Sequence, residues 1–293
     1  MNIRSSSWLA VALLSAVSAS AAVAAPAAVV EGLQAPAWVE RAGAKVPLKQ
    51  GMALQSGDRV LTGPQSRALL RLEEGSQVKL GENGQVNLDE LQPPAESGGL
   101  FKGVLGVLKG AFRFTTTALG ANRSRSMNIT VGTVTAGIRG TDLWGKSTDQ
   151  KDIVCLIEGR IGVERGSDQF EMSDPLSFYI APRNAPALPV APVDMDQLKQ
   201  WAQETELQAQ RGVQSGGEWN VVLMSLADAS EAQARMQPLH DAGYAVEARS
   251  AEVSGKTWTR LVLAGFASAQ DARVVAQRLQ GTHGVRTPWV MRG

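Results

Sequence analysis

The sequence predicts a multidomain chain: an all-β domain, either a β-solenoid or a sandwich, followed by a smaller α+β module of order βαββαβ. Three observations predict it. Short apolar runs broken by glycine fill the first half. A proline-rich stretch around Pro182, Pro186, Pro189 and Pro192 interrupts the chain. A repeat offset by 40 residues then governs the C-terminal part.

In the first region, residues 27–185, the runs Arg59-Val60-Leu61, Ala68 to Leu72, Gln77 to Leu80 and Gln85 to Leu88 are strand-sized. Gly57-Asp58, Gly63-Pro64, Gly75-Ser76 and Asn83-Gly84 bound them. Strands at roughly 8–12 residue spacing with turn signals between them indicate an all-β domain. Sandwich and solenoid both satisfy this pattern. Pro93 to Gly99 reads as a polar loop. Leu100 to Gly110 is glycine-rich and apolar, Ala111 to Phe114 reads as a strand, and Asn128 to Thr135 as one β-branched strand. The apolar run Ile153 to Ile157 places Cys155 on a buried strand.

Residues 186–216 form a linker. Proline excludes regular structure at its start. Asp194 then caps an expected helix reaching about Arg211, with Met195, Leu198, Trp201 and Ala202 on one apolar stripe packed on a neighbouring domain. Gly212 to Gly217 reads as a flexible joint.

The third region, residues 217–293, is built on the repeat. Val221, Leu223 and Leu226 correspond to Leu261, Leu263 and Phe266, Ala232 to Ala272, and Leu239 to Leu279. Each half reads strand, helix, turn, strand. Ser268 with Asp271 is a capping-box-like start to the second helix. The result is a four-stranded antiparallel sheet with two helices on one face. Leu261 and Leu263 then face the helices. Trp258 and Arg260 face the uncovered side, where an indole and a guanidinium suit a sugar ring and its hydroxyl or carboxylate groups. The alternative places Trp258 as a strand-end residue folded over the sheet edge.

Composition narrows the function. The chain has 293 residues, 44% hydrophobic and 19% charged, with 29 basic and 28 acidic side chains. The balanced charge gives no field for nucleic acid, and the module lacks the basic aromatic run of RNA-binding sheets. One cysteine and two histidines, His240 and His283, cannot assemble a usual zinc site or a marked Ser-His-Asp triad. The reading is therefore of a non-enzyme with no catalytic residue, metal or cofactor. At the N-terminus, Arg4, an apolar stretch from Trp8 and Ala22-Val23-Ala24 read as a signal peptide over residues 1–24, cleaved after Ala24. The expectation is a periplasmic protein with no membrane span once mature.

The third region resembles the SPOR domain family. The residues that carry the likeness are Trp219, Val221, Leu223 and Ser225-Leu226, then Gly243-Tyr244, then Trp258-x-Arg260-Leu261-x-Leu263-x-Gly265-Phe266 with Asp271-Ala272. The resemblance implies binding of peptidoglycan glycan strands, with contacts carried to Ser225, Trp258, Arg260 and Val285 on the last strand, and a possible place at the division septum. This chain departs from the family pattern at Val222, Met224 and Leu226, where Gln, Gly and Phe are usual. Val222 and Met224 are expected toward the same uncovered face.

The first region resembles the FecR domain family. The matching stretches are Leu48-x-x-Gly51, Gly57-Asp58-Arg59-Val60, Ser66-Arg67-Ala68, Gly110-x-Phe112-Arg113-Phe114 and Gly137-Ile138-Arg139-Gly140-Thr141-Asp142. Arg139, Gly140 and Thr141 read as a tight turn, structural or partner-binding, with Arg139 satisfying neighbouring carbonyls or a carboxylate. The resemblance implies an interaction module for an envelope protein or ligand. The alternative for the whole chain is a periplasmic sensor or regulator in a surface-signalling pathway.

Overall fold

The computed structural model describes residues 26–93, 99–116 and 124–293. The expected signal peptide and the core of the expected loop after Pro93 lie outside the described residues.

The β domain is a pair of stacked sheets. Its strands are β1 (Ala28–Gln34), β2 (Ala37–Arg41), β3 (Ala44–Pro47), β4 (Ala53–Leu54), β5 (Arg59–Thr62), β6 (Arg67–Leu72), β7 (Gln77–Leu80), β8 (Gln85–Gln92), β9 (Leu100–Thr115), β10 (Ser124–Val131), β11 (Val134–Ile138), β12 (Asp142–Ser147), β13 (Lys151–Glu158), β14 (Ile161–Arg165), β15 (Asp168–Met172), β16 (Ser177–Pro182) and β17 (Ala191–Pro192). One sheet runs β4–β1–β6–β7–β9–β12–β13–β16–β17. The other runs β3–β2–β5–β8–β9–β10–β11–β14–β15, antiparallel except for the β9–β10 pair. Val60, Val86, Leu88 and Leu105 of the second sheet share one core with Leu70, Leu80, Phe112 and Phe114 of the first. Packing of two inner faces is the sandwich arrangement.

β9 belongs to both sheets. Its first part pairs β8 and β10, and its last part pairs β7 and β12. The chain turns the corner at Gly110, whose φ is +84°. A Cβ there would stand 2.6 Å from the Cα of Gly84, so only glycine fits. Leu100 to Thr115 is thus one bent strand. The run from Asn128 to Thr135 does the opposite and divides into a hairpin at Gly132-Thr133. Buried Asp152 secures that turn by accepting from the Thr133 N–H at 2.9 Å and hydroxyl at 2.8 Å.

Helix α1 (Met195–Thr205) lies on the outer face of the first sheet. Asp194 caps it as expected, accepting from the N–H groups of Asp196 and Gln197. Trp201 stacks on Trp144 at 4.6 Å between ring centroids and meets Phe178 edge-on. This second cover explains why Ile153, Val154, Cys155 and Leu156 are all buried rather than alternating: β13 has the sandwich core on one side and α1 on the other. The helix stops at Thr205, short of Arg211, because Glu206 turns into the sheet to pair with Lys79 at 2.6 Å and Arg113 at 3.2 Å.

The C-terminal module comprises β18 (Val213–Leu226), α2 (Ala229–Asp241), β19 (Glu247–Val253), β20 (Lys256–Phe266), α3 (Ala269–Leu279) and β21 (Trp289–Arg292). Its antiparallel order is β19–β20–β18–β21. The repeat-related pairs Ala232/Ala272 and Leu239/Leu279 are buried at equivalent places on the two helices.

Gly212 to Gly217 is not a free joint. Val213 and Gln214 pair with Gln34 and Leu33 of β1, so the sandwich sheet continues into the module's sheet. The Gln34 side chain donates to the carbonyls of Gln208 and Arg211 and accepts from the Gln208 N–H. Asp271 Oδ1 accepts from Gly212 and Val213 N–H, both at 2.9 Å. Trp38 donates to the Asp241 carbonyl, Arg278 to that of Ala35, and Lys49 pairs with Glu247. The strand pairing and these side-chain contacts, part-buried and exposed, join the two domains at this junction.

Candidate functional site

Directly paired residues on neighbouring strands point to the same side of a sheet. Leu261 and Leu263 lie under the helices, fully buried. The residues between them therefore define the face that no helix covers. Across that face Glu247, Val262, Val222 and Trp289 form one row. Arg249, Arg260 and Ser225 form the next, and Ala251 with Trp258 the third. Val222 and Val262 are a buried apolar floor.

Three of the four sequence-derived contact residues are brought together here. Ser225 and Arg260 are opposite one another, and Trp258 follows Arg260 on the same side. Trp258 is half-buried on the face itself, since it pairs with Ala251 inside the β19–β20 ladder. The fourth, Val285, requires correction. It is 1% exposed, precedes β21 and belongs to the core. Its side chain does not reach the open face. The tight turn through Gly284, at φ +77°, turns it inward before the last strand begins.

Trp289 takes that position instead. It is 40% exposed, and the Arg260 guanidinium stands over its ring at 5.9 Å from the centroid, within cation–π range. Sequence reasoning passed over Trp289 because β21 is only four residues long and follows a glycine-rich turn. The usable signal was the alternation Trp289-Val290-Met291, which puts Val290 with the core residue Val221 and Trp289 on the other side.

Met224 is a second correction. The register slips between Val222 and Met224, so Met224 pairs with Leu261 and packs against the core, not toward the open face. The bulge has a use: it returns Ser225 to the open face beside Arg260. A cleft of about 560 Å³ opens at the adjoining edge of the sheet, between β18, α2 and the turn before β21, with Ser225, Glu231, Arg235, Arg286 and Trp289 in its walls.

The charges of the face are arranged unequally. Glu247 is held by Lys49 and by Arg249 at 2.9 Å, and these partners, Lys49 foremost, keep its carboxyl below the usual range. Arg260 has no carboxylate partner among the described residues, and its Nε is buried without a hydrogen-bond acceptor. The free cation thus sits at the centre between two indoles.

In the β domain, Gly140 adopts φ +82° and Gly159 packs against it so closely that a Cβ would lie 2.2 Å from the Gly140 oxygen. Thr141 is buried. Its N–H donates to the Thr116 hydroxyl at 2.8 Å and its own hydroxyl to the Arg160 carbonyl at 3.0 Å. Gly140 and Thr141 are the turn itself. Arg139 departs from expectation: it is exposed and makes no side-chain bond among the described residues, because the threonine hydroxyls already satisfy the turn. It flanks, with Arg160, a shallow cleft of about 390 Å³ floored by Gly137 and Gly162.

No group of three or more His, Cys, Asp or Glu side chains that could hold a metal ion occurs among the described residues. No helix among them is long and apolar enough to cross a membrane.

Comparisons with known proteins agree with this division. The FecR protein family matches residues 58–162, and the SPOR domain family matches residues 215–292. No curated protein matches the chain. Two crystal structures of a candidate anti-sigma factor from Parabacteroides distasonis ATCC 8503 are similar in outline, at 10% and 11% identity and TM-scores of 0.39 and 0.40, each comparison covering 68% of this chain and 96% of the other. SPOR domains bind peptidoglycan, and FecR and SPOR domains are binding or regulatory rather than catalytic units. The chain carries a FecR domain and, fused to it through a continuous sheet, a SPOR domain.

Proposed function

We propose that this protein is a non-catalytic peptidoglycan-binding protein of the periplasm that holds glycan strands on the open face of its SPOR sheet. The observation that carries the reading is Arg260, a cation without an ion-pair partner among the described residues, on the same face as Trp258 and Trp289 with Ser225 opposite. Indoles stack on the apolar faces of sugar rings, while the guanidinium and hydroxyl meet hydroxyl, acetamido and carboxylate groups. A sheet face that no helix covers, with half-buried and exposed side chains over an apolar floor, suits a polymer better than a small enclosed ligand.

Co-sedimentation of the full chain with purified sacculi tests this. The wild type is expected to pellet with the sacculi, and Trp289→Ala with Arg260→Ala to remain in the supernatant. If the double variant pellets as the wild type does, the face is not the site. Export through residues 1–24 is checked by the N-terminus of the periplasmic form, expected at Ala25. Septal recruitment is checked by fluorescence of the tagged chain in dividing cells.

A second reading, a sensor or regulator in a surface-signalling pathway, rests on the FecR match and on Arg139 and Arg160, two exposed arginines without partners among the described residues. It predicts that an envelope protein co-purifies with the chain and is lost with Arg139→Glu. Unchanged transcripts on deletion of the gene would count against it.

A further inference from the structure

A separate cleft of about 370 Å³ opens on the FecR domain where α1 ends, bounded by the start of β6, the β7–β8 turn, the bend of β9 and the β12–β13 hairpin. Arg67 forms part of its wall and is only 8% exposed. Its Nη2 donates to the Gln203 carbonyl at 3.2 Å, near the C-terminal end of α1. Its Nε is buried with no acceptor, and no carboxylate stands within ion-pairing distance among the described residues. Burial is the main influence on the group and draws its pKa down; Glu82 opposes through space, the Arg211 cation adds to the lowering, and Glu204 opposes more weakly. A guanidinium taken out of water without a paired anion is costly, so its surroundings are incomplete as they stand.

The other charges of the cleft sharpen this. Lys146 is committed to Glu204 at 2.7 Å. Lys109 has no partner among the described residues, and neither has Asp149, while Glu82 accepts only the backbone N–H of Gln65 at 2.8 Å. Unpaired charges of both signs thus line one cleft. An anion alone would leave Asp149 and Glu82 unmatched, and a cation alone would leave Arg67 and Lys109 unmatched. Ligand clefts run from roughly 300 to 1,000 Å³. This one, at the small end, admits an amino acid or dipeptide but not a polymer.

We propose that this cleft binds a small zwitterion of dipeptide size, its carboxylate on Arg67 and Lys109 and its ammonium on Asp149 and Glu82. The site is independent of the glycan-binding face. Isothermal titration of the full chain with glycylglycine, N-acetylglycylglycine and glycylglycinamide tests it. Saturable binding of glycylglycine is expected, at least tenfold weaker for each blocked form. Lys109 and Asp149 are exposed, so Lys109→Ala and Asp149→Asn leave the fold intact. Lys109→Ala should weaken glycylglycine about as much as amidation does, and Asp149→Asn should shrink the penalty of N-acetylation. Absence of glycylglycine binding, equal binding of all three compounds, or indifference to both substitutions overturns the proposal.

Discussion

Asp271 holds the start of β18, the segment that pairs with β1, in place. Its Oδ1 accepts the N–H groups of Gly212 and Val213 at 2.9 Å each, and the residue is 2% exposed. Asp271→Ala leaves two buried donors unpaired, each costing about 1–3 kcal/mol. The carboxylate also accepts the hydroxyl of Ser268, the cap of α3. The sum expected is about 3–5 kcal/mol, and for a chain of this size each kcal/mol lowers Tm by roughly 2–4 °C. Asp271→Asn keeps an acceptor oxygen in place and loses only the charge assistance, about 1–2 kcal/mol. Urea unfolding with limited proteolysis reads both effects: the Ala variant should unfold earlier and be cut near Gly212, and the Asn variant should fall between it and the wild type. An Ala variant within ~1 kcal/mol of wild type would refute the reasoning, because backbone groups costing 1–3 kcal/mol each would have been left unpaired without consequence. So would an Asn variant as unstable as Ala.

Other perturbations reach different links. Glu247 has its folded-state pKa depressed, chiefly by Lys49, so its contribution to domain docking is present above the ordinary glutamate value of 4.5 and is lost as pH falls through the lower folded value. Glu247→Gln should therefore destabilise at pH 7, and its difference from wild type should vanish in acid unfolding curves. The Cys155 thiol is pushed up to about 12 by burial and the nearby Asp142 carboxylate, so it should be inert to a thiol reagent at pH 8 in the native protein and react fully in denaturant. Trp201→Ala removes the indole stacked on Trp144; about 2–4 kcal/mol of stability and the near-ultraviolet dichroism of the indole pair should go with it.

The module's sheet was legible in the sequence because a repeat fixes equivalent residues twice. Ala232 and Ala272, or Leu239 and Leu279, need the same depth under a helix, and the 40-residue offset declares it. The open face followed from period-two alternation in β20, which carried Trp258 and Arg260 correctly to the side away from Leu261 and Leu263. Alternation misleads where that period breaks. A one-residue slip between Val222 and Met224 moves Met224 to the core, and nothing in the local composition marks a slip. Val285 and Trp289 exchanged roles because a turn of Gly284 and its neighbours sets where β21 starts.

The β domain shows the same boundary. Strand-sized runs and their glycine punctuation are local properties, governed by backbone sterics and burial of alternate side chains, and the sequence alone determined them. Whether those strands form a sandwich or a solenoid depends on which edges meet, and that is decided by contacts far apart in the chain, such as the β9 strand shared by both sheets and bent at Gly110. The pairing of Gln34 with Val213 is of this kind. Sequence determined that two domains exist and which face of the second is uncovered. Only the tertiary structure decided that they share a sheet and that Trp289 completes the face. It alone left Arg67 buried without an ion pair among the described residues. Hydrogen-bond and charge pairing are settled by distance in space, and distance along the chain does not encode it.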